Sequence, residues 1–273
     1  MTVDFHTHIF PDKIANKTVQ ILEKKANIPS RSDGTYDGLV DSMKRAGVSV
    51  AVNLPVLTSP SQFESILKFA VAINERFAVS NPNGERILSF AGMHPDIDEP
   101  EEKLFRIKES GILGIKIHPD YQGMFFDDEK YVRILAEAKR LGLITVTHAG
   151  FDAGYPDEDI RCTPKRVMNL LDKIGGYDKL VLAHLGGNRL FSEVYEILAG
   201  ENVYFDTACI LGDVSEEDFK KMLEKHGEEK ILFATDSPWR DLSEDKIIIN
   251  SFCLGDSTTK RILSENALKL LEI

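Results

Sequence analysis

A single cadence runs through the whole sequence: short apolar runs rich in β-branched residues alternate with longer amphipathic segments. The first run, Thr2–His8, alternates in the manner of a short strand. The next, Val48–Val56, is almost continuously apolar and reads as a strand covered on both faces. Further strands are expected at 87–94, 114–119, 143–148, 180–184, 203–207 and 231–236. Helical periodicity fills the gaps, over 14–22, 37–45, 61–79, 101–110, 127–141, 163–173, 189–198 and 215–226, with further helical segments from Ser243 and Thr258. Gly47 and Gly142 mark two of the helix stops, and Asp37 is the expected cap of the second helix. Eight strands alternating with helices, with no linker-like break in composition, specify a (β/α)8 barrel occupying 1–273 as one domain more economically than a doubly wound open sheet.

Composition narrows the class of partner. A hydrophobic content of 42% and a charged content of 28% exclude a disordered chain. The formal charge of −11 argues against nucleic acid or an anionic membrane, either of which calls for a clustered basic face, and leaves a small metabolite as the default partner. No apolar run approaches the roughly 18 residues of a membrane span, and the first residues lack the pattern of a signal peptide. Cys162, Cys209 and Cys253 are odd in number and widely spaced, which suits a reducing compartment, and a cytoplasmic location is expected.

In a barrel of this kind the chemistry lies at the C-terminal ends of the strands. Six of the seven histidines fall there: His6 and His8 on the first strand, then His94, His118, His148 and His184, with only His226 on a helix. Lys116 and Asp236 share that placement. Residues two apart on a strand point the same way, so His6 and His8 are expected to converge on one face with Asp4. Neutral imidazole is the commonest protein ligand of a borderline metal, and a catalytic zinc needs about three protein ligands and an open position. His94, which precedes Pro95, reads equally well as structural.

The combination His6-Thr-His8, Thr-His148, Ala-His184-Leu-Gly-Gly and Ala-Thr-Asp236-Ser-Pro resembles the amidohydrolase superfamily. It is most similar to the amidohydrolase-related branch that includes aminocarboxymuconate-semialdehyde decarboxylase. Ser264-Glu-Asn266-Ala-Leu extends the resemblance to the C-terminal helix of that group. The resemblance implies that His6, His8, His148 and Asp236 hold one divalent metal, zinc in first place and manganese or iron in second. It further implies that His184 acts as a base or orients a water beside the metal, with Asp236 accepting a proton. A divalent ion brings the pKa of such a water down towards about 7. In two-metal members a carbamylated lysine from the fourth strand bridges the ions, so Lys116, with His118 facing the same way, is where a second metal would sit, a reading that ranks behind the single ion. In the single-metal branch the same positions serve substrate or water, and a third reading pairs Lys116 with Asp4 inside the barrel. DNase-like relatives carry acids where this chain has Lys116, a further argument against a nucleic-acid substrate.

Arg161, Trp239 and Arg240 lie just beyond strand ends and are the expected substrate contacts, the arginines for a carboxylate or phosphate. Tyr121, Phe151, Asn188 and Arg189 occupy similar places. The segment 150–164, with Gly154, Pro156 and four acids, is the expected lid. Hydrolysis of a small ester, lactone or amide by metal-activated water is the leading expectation. Decarboxylation or hydration of a carboxylated substrate is the alternative, and an inactive metal-binding barrel is a minor one. The resemblance also implies a homodimer.

Overall fold

The structure is a computed structural model that describes residues 1–80 and 84–273. Its strands are β1 (Val3–Thr7), β2 (Val50–Asn53), β3 (Arg86–Ser89, continued by Ala91–Gly92), β4 (Gly114–Ile117), β5 (Ile144–Thr147), β6 (Leu180–Leu182), β7 (Tyr204–Asp206) and β8 (Ile231–Leu232). All neighbouring pairs are parallel. The sheet closes on itself: the Phe5 N–H donates to the Phe233 carbonyl at 2.9 Å and the Asp236 N–H to the His6 carbonyl at 2.8 Å. β1 therefore lies between β2 and β8, and the fold is the expected (β/α)8 barrel. β3 is interrupted at Phe90, whose N–H still reaches the Asn53 carbonyl at 2.9 Å.

The helices follow the expected order: α1 (Asp12–Ala26), α2 (Tyr36–Ala46), α3 (Phe63–Ser80) and α4 (Pro100–Glu109). A four-residue turn of helix, α5 (Pro119–Gln122), comes directly after β4 and was not legible in the periodicity. Then come α6 (Glu129–Arg140), α7 (Pro164–Ile174), α8 (Phe191–Ile197), α9 (Glu216–His226), α10 (Leu242–Ser251), α11 (Asp256–Lys260) and α12 (Asn266–Leu271). Local chemistry sets the boundaries. Thr35, not Asp37, caps α2, its hydroxyl accepting from the Gly38 N–H, and Gly47 ends that helix in the left-handed region at φ 62°.

Two apolar layers result. One lies between the strands and the helices, with Phe126, Tyr131, Phe219 and Phe233 among its largest side chains. The other unites residues of β1–β3 and β5–β8, among them Phe5, Phe90, Val146 and Tyr204, with Leu270 and Leu271 of α12. That second layer is the filled barrel interior. Among the described residues no helix is long and apolar enough to cross a membrane.

Candidate metal centre

The first strand does not keep the strict alternation expected of it. Its register against β2 shifts between Asp4 and Thr7, as at a bulge, which re-aims the side chains on either side. Asp4 is thereby taken out of the site. Its carboxyl accepts from the Thr235 hydroxyl at 2.6 Å and from the main-chain N–H groups of His6 and Thr235. Burial, partly offset by the Thr235 and main-chain hydrogen bonds, pushes its pKa up to about 7. No pairing of Asp4 with Lys116 forms.

His6 and His8 do converge, with their Nε2 atoms 3.2 Å apart. Asp236 Oδ1 stands 3.0 Å from His8 Nε2 and 3.4 Å from His6 Nε2, and the three ligand atoms lie within 4.8 Å of one another. Hydrogen bonds on the far side of each ring decide which nitrogen carries the proton. His8 Nδ1 lies 2.8 Å from the Leu54 carbonyl, which can only accept, so Nδ1 carries a proton and Nε2 is the atom turned to Asp236 Oδ1. His6 Nδ1 lies 2.8 Å from Asp206 Oδ2, which places a proton there too. Burial, and then the nearby Lys116, hold His6 well below the usual imidazole pKa, so the ring is neutral and its Nε2 is bare. Two imidazole nitrogens and a carboxylate oxygen thus face one another in a space where an ion, or a proton, has to come between them.

Lys116 supplies the nearest cation. Its Nζ is 3.1 Å from His6 Nε2, and the residue is 1% exposed. Burial lowers its pKa to about 8 against the opposing pull of Asp206 and Asp236. The thiol of Cys209 donates to Asp236 Oδ2 at 3.1 Å and so fixes the carboxylate with Oδ1 towards the imidazoles.

His148 and His184 form a second linked pair. His184 Nδ1 is 2.8 Å from the Ala208 carbonyl, so its Nε2 accepts, and the partner at 2.9 Å is His148 Nδ1. His148 Nε2 is left bare, buried and without any hydrogen-bond partner. Both nitrogens of His184 are engaged, so its observed contact with the site runs through His148 rather than through an open atom. His184 and Leu185 adopt left-handed backbone, at φ 59° and 55°. The turn that follows needs Gly186: a Cβ there would come within 2.8 Å of the Phe205 ring.

His118 caps α5 and stacks on His148 with ring centroids 4.3 Å apart. Its Nε2 is 3.3 Å from Asp152 Oδ2, and His118, His148 and Asp152 form a second group with ligand atoms within 4.8 Å of one another. Asp120 joins this edge of the site, its Oδ2 3.8 Å from His148 Nε2 and without a hydrogen-bond partner. Burial and the neighbouring Asp152 push its carboxyl up to about 6. Arg161 stands beside it, Nη1 3.8 Å from Asp120 Oδ1 and likewise unpartnered, while Nη2 holds Glu158. Among the described residues four buried side-chain polar atoms lack a partner, and three of them, on Asp120, His148 and Arg161, are gathered here.

Other expected residues have different roles. Arg240 is turned to the scaffold: its guanidinium binds the fully buried carboxylate of Asp245 on α10 and the Leu211 carbonyl. Its Nε and Nη2 donors are spent on the fold rather than on an anionic substrate. Trp239 is half-buried, its main-chain N–H donating to the Asp236 carbonyl. His94 Nδ1 accepts from the Asp96 N–H and closes a local turn. The segment 150–164 is pinned at both ends, Gly150 and Phe151 to Asn188 and Arg161 to Phe126. Between the pins Asp152 reaches His118, and Lys25 of α1 lies 3.5 Å from the Tyr155 ring centroid and 4.4 Å from that of Tyr121. Asp120, Asp152, Asp206 and Cys209 were not anticipated, although Asp206 closes its strand just as Asp236 closes the last one.

The barrel thus carries, at its strand ends, histidines and acids grouped closely enough to hold a metal ion. The family model for Amidohydrolase matches residues 3–273, and the chain belongs to that family. No curated protein matches the sequence. Among solved structures it is similar to the 2,6-dihydroxybenzoate decarboxylase from Rhizobium, at 17% identity and TM-score 0.72, over 99% of this chain and 98% of that one. It is also similar to the 5-carboxyvanillate decarboxylase from Novosphingobium aromaticivorans, a structure with bound manganese, at 14% identity and TM-score 0.75, over 100% and 96% of the two chains. A putative amidohydrolase from Staphylococcus aureus aligns over 100% of this chain and 99% of its own, at 18% identity and TM-score 0.69.

Proposed function

We propose that the protein is a metal-dependent decarboxylase acting on a small carboxylated substrate. The observation that carries the reading is that His6 and His8 turn Nε2 towards Asp236 Oδ1, with their Nδ1 atoms held by Asp206 and the Leu54 carbonyl, while His148 keeps a buried, unpartnered Nε2. Imidazole nitrogen and carboxylate oxygen accept zinc or manganese; intrinsic affinity favours zinc, and the manganese bound in decarboxylase neighbours is what favours manganese here. An ion bound there supplies Lewis acidity, drawing charge from the substrate as carbon dioxide departs.

The remaining roles belong to the chain. His6, His8, His148 and Asp236 hold the ion. His184 keeps the His148 ring in the tautomer that exposes Nε2. Lys116 sets a positive charge against the site, and Arg161 Nη1 offers an unused donor to a substrate carboxylate. The carbon left behind takes its proton from water. Asp236 stays ionised: against its burial, His6 and His8 hold its carboxyl well below the usual carboxylate range, with Oδ2 on the Cys209 thiol and Oδ1 towards the imidazoles. Decarboxylation is preferred to hydrolysis because the neighbours of stated reaction are decarboxylases.

A second reading keeps the leading expectation of the sequence, hydrolysis, but gives it two ions in place of the one expected, and rests on the group His118, His148 and Asp152. One experiment separates the two. Metal per chain is measured by elemental analysis on wild type and His148→Ala. The loaded enzyme is then offered dihydroxybenzoates and carboxyvanillate, scored for carbon dioxide, and simple lactones and esters, scored for acid. One ion, lost in the variant, with carbon dioxide release supports the proposal; two ions with acid release support hydrolysis. No bound ion after reloading overturns both.

A further inference from the structure

Asp206 is the one carboxylate that touches both halves of the histidine cluster. It sits at the end of β7, fully buried, and its two oxygens do different work. Oδ1 accepts the main-chain N–H groups of His184 at 2.9 Å and Ala208 at 3.1 Å, and so holds the left-handed turn that presents the His184 ring. Oδ2 lies 2.8 Å from His6 Nδ1. We propose that Asp206 is a positioning residue that keeps the proton of His6 on Nδ1 and thereby keeps Nε2 available to an ion. The proposal rests on the reading above that His6 is a metal ligand, and it adds the group on which that ligand depends.

Hydrogen-bond chemistry makes the dependence sharp. Both N–H groups at Oδ1 can only donate, so an amide placed at 206 must set its oxygen there and its NH2 at the Oδ2 position. Asp206→Asn would therefore point a donor at His6 Nδ1. A neutral imidazole has one proton, and facing a donor at Nδ1 it carries that proton on Nε2, where Asp236 Oδ1 can accept it and the Lys116 ammonium, 3.1 Å away, has to turn aside. His6 Nε2, 3.2 Å from His8 Nε2 and 3.4 Å from Asp236 Oδ1, would then be closed to a metal although every ligand remained in place. Asp206→Ala acts in the opposite sense: it strips the two main-chain N–H groups of their acceptor but puts no donor against His6, which stays free to keep its Nδ1 proton.

The two variants separate tautomer control from simple support. Manganese and zinc dissociation constants are measured for wild type, Asp206→Asn and Asp206→Ala by competition with a chelator, alongside urea unfolding of the metal-free proteins. The His6 tautomer is read from long-range proton–nitrogen spectra of metal-free, 15N-histidine-labelled protein. Asp206→Asn is expected to stay near wild-type stability, to weaken metal binding by roughly 10- to 100-fold, and to show His6 protonated at Nε2. Asp206→Ala is expected to unfold more easily yet bind metal better than Asp206→Asn. Wild-type affinity in Asp206→Asn, or a His6 proton that remains on Nδ1 there, overturns the inference. If wild type itself binds no ion, the proposed function fails, and the tautomer spectra still decide the role of Asp206.

Discussion

Replacing Lys116 by methionine should make the metal-free protein more stable. The ammonium is buried at 1% exposure, and its pKa falls from 10.5 to about 8 because burial outweighs the attraction of Asp206 and Asp236. That difference is a cost of about 3 kcal/mol to the folded state wherever the lysine is charged in both states, that is, below about pH 8. Between the folded and unfolded pKa values the native protein binds fewer protons than the unfolded chain, so stability rises with pH across that window and the cost is gone above about 10.5. Lys116→Met fills nearly the same volume without the charge. Urea unfolding of chelator-treated protein should place the variant about 3 kcal/mol above wild type at pH 7 and only about 1 kcal/mol above it at pH 9.5. Groups that do not face Lys116 cancel in the difference, and the imidazoles that do, His6, His118 and His148, are held well below their usual pKa first of all by burial and stay neutral over this range. A gap that stays constant between the two pH values would show that Lys116 does not titrate there, and the argument from its burial would be wrong.

Other outcomes follow from single contacts. His226 is buried against the Phe205 ring, and burial lowers its pKa to about 4, so it adds stability above pH 6.5 that is lost as pH falls towards 4, up to about 3 kcal/mol; His226→Phe should flatten that acid limb in pH-dependent unfolding. Arg240→Ala leaves the carboxylate of Asp245 buried without its guanidinium and should cost about 3 kcal/mol in urea unfolding, with partial recovery in the Asp245→Asn double variant. Arg161→Ala should do the reverse, leaving stability within about 0.5 kcal/mol of wild type while raising KM at least tenfold for whichever carboxylate is turned over.

The sequence carried the barrel because its evidence is local. Eight apolar runs, each a few residues long, can be counted without knowing where any of them packs. The same holds for His6 and His8, whose convergence needs only a strand. What escaped was decided across the barrel. Asp206 meets His6 over a separation of 200 residues, and nothing near either position announces the pair. Asp4 was misplaced because the register shift in β1 comes from the fit of three strands rather than from the pattern of one. Arg240 shows the converse: its position beyond a strand end suggested substrate, and only the packing of α10 reveals that its charge is already taken.

The closure of the sheet places β1 beside β8, so the pair of histidines at one end of the sequence finds its carboxylate only when Asp236 has been made. A growing polypeptide therefore exposes His6 and His8 long before it can offer them that carboxylate. Closing so long a loop is slow, since its entropy must be lost before the contacts repay it. Under the proposed function, ion capture that includes Asp236 becomes a late event in the life of each molecule, and a chain cut short before Asp236 keeps the three histidines but lacks the carboxylate that completes the site.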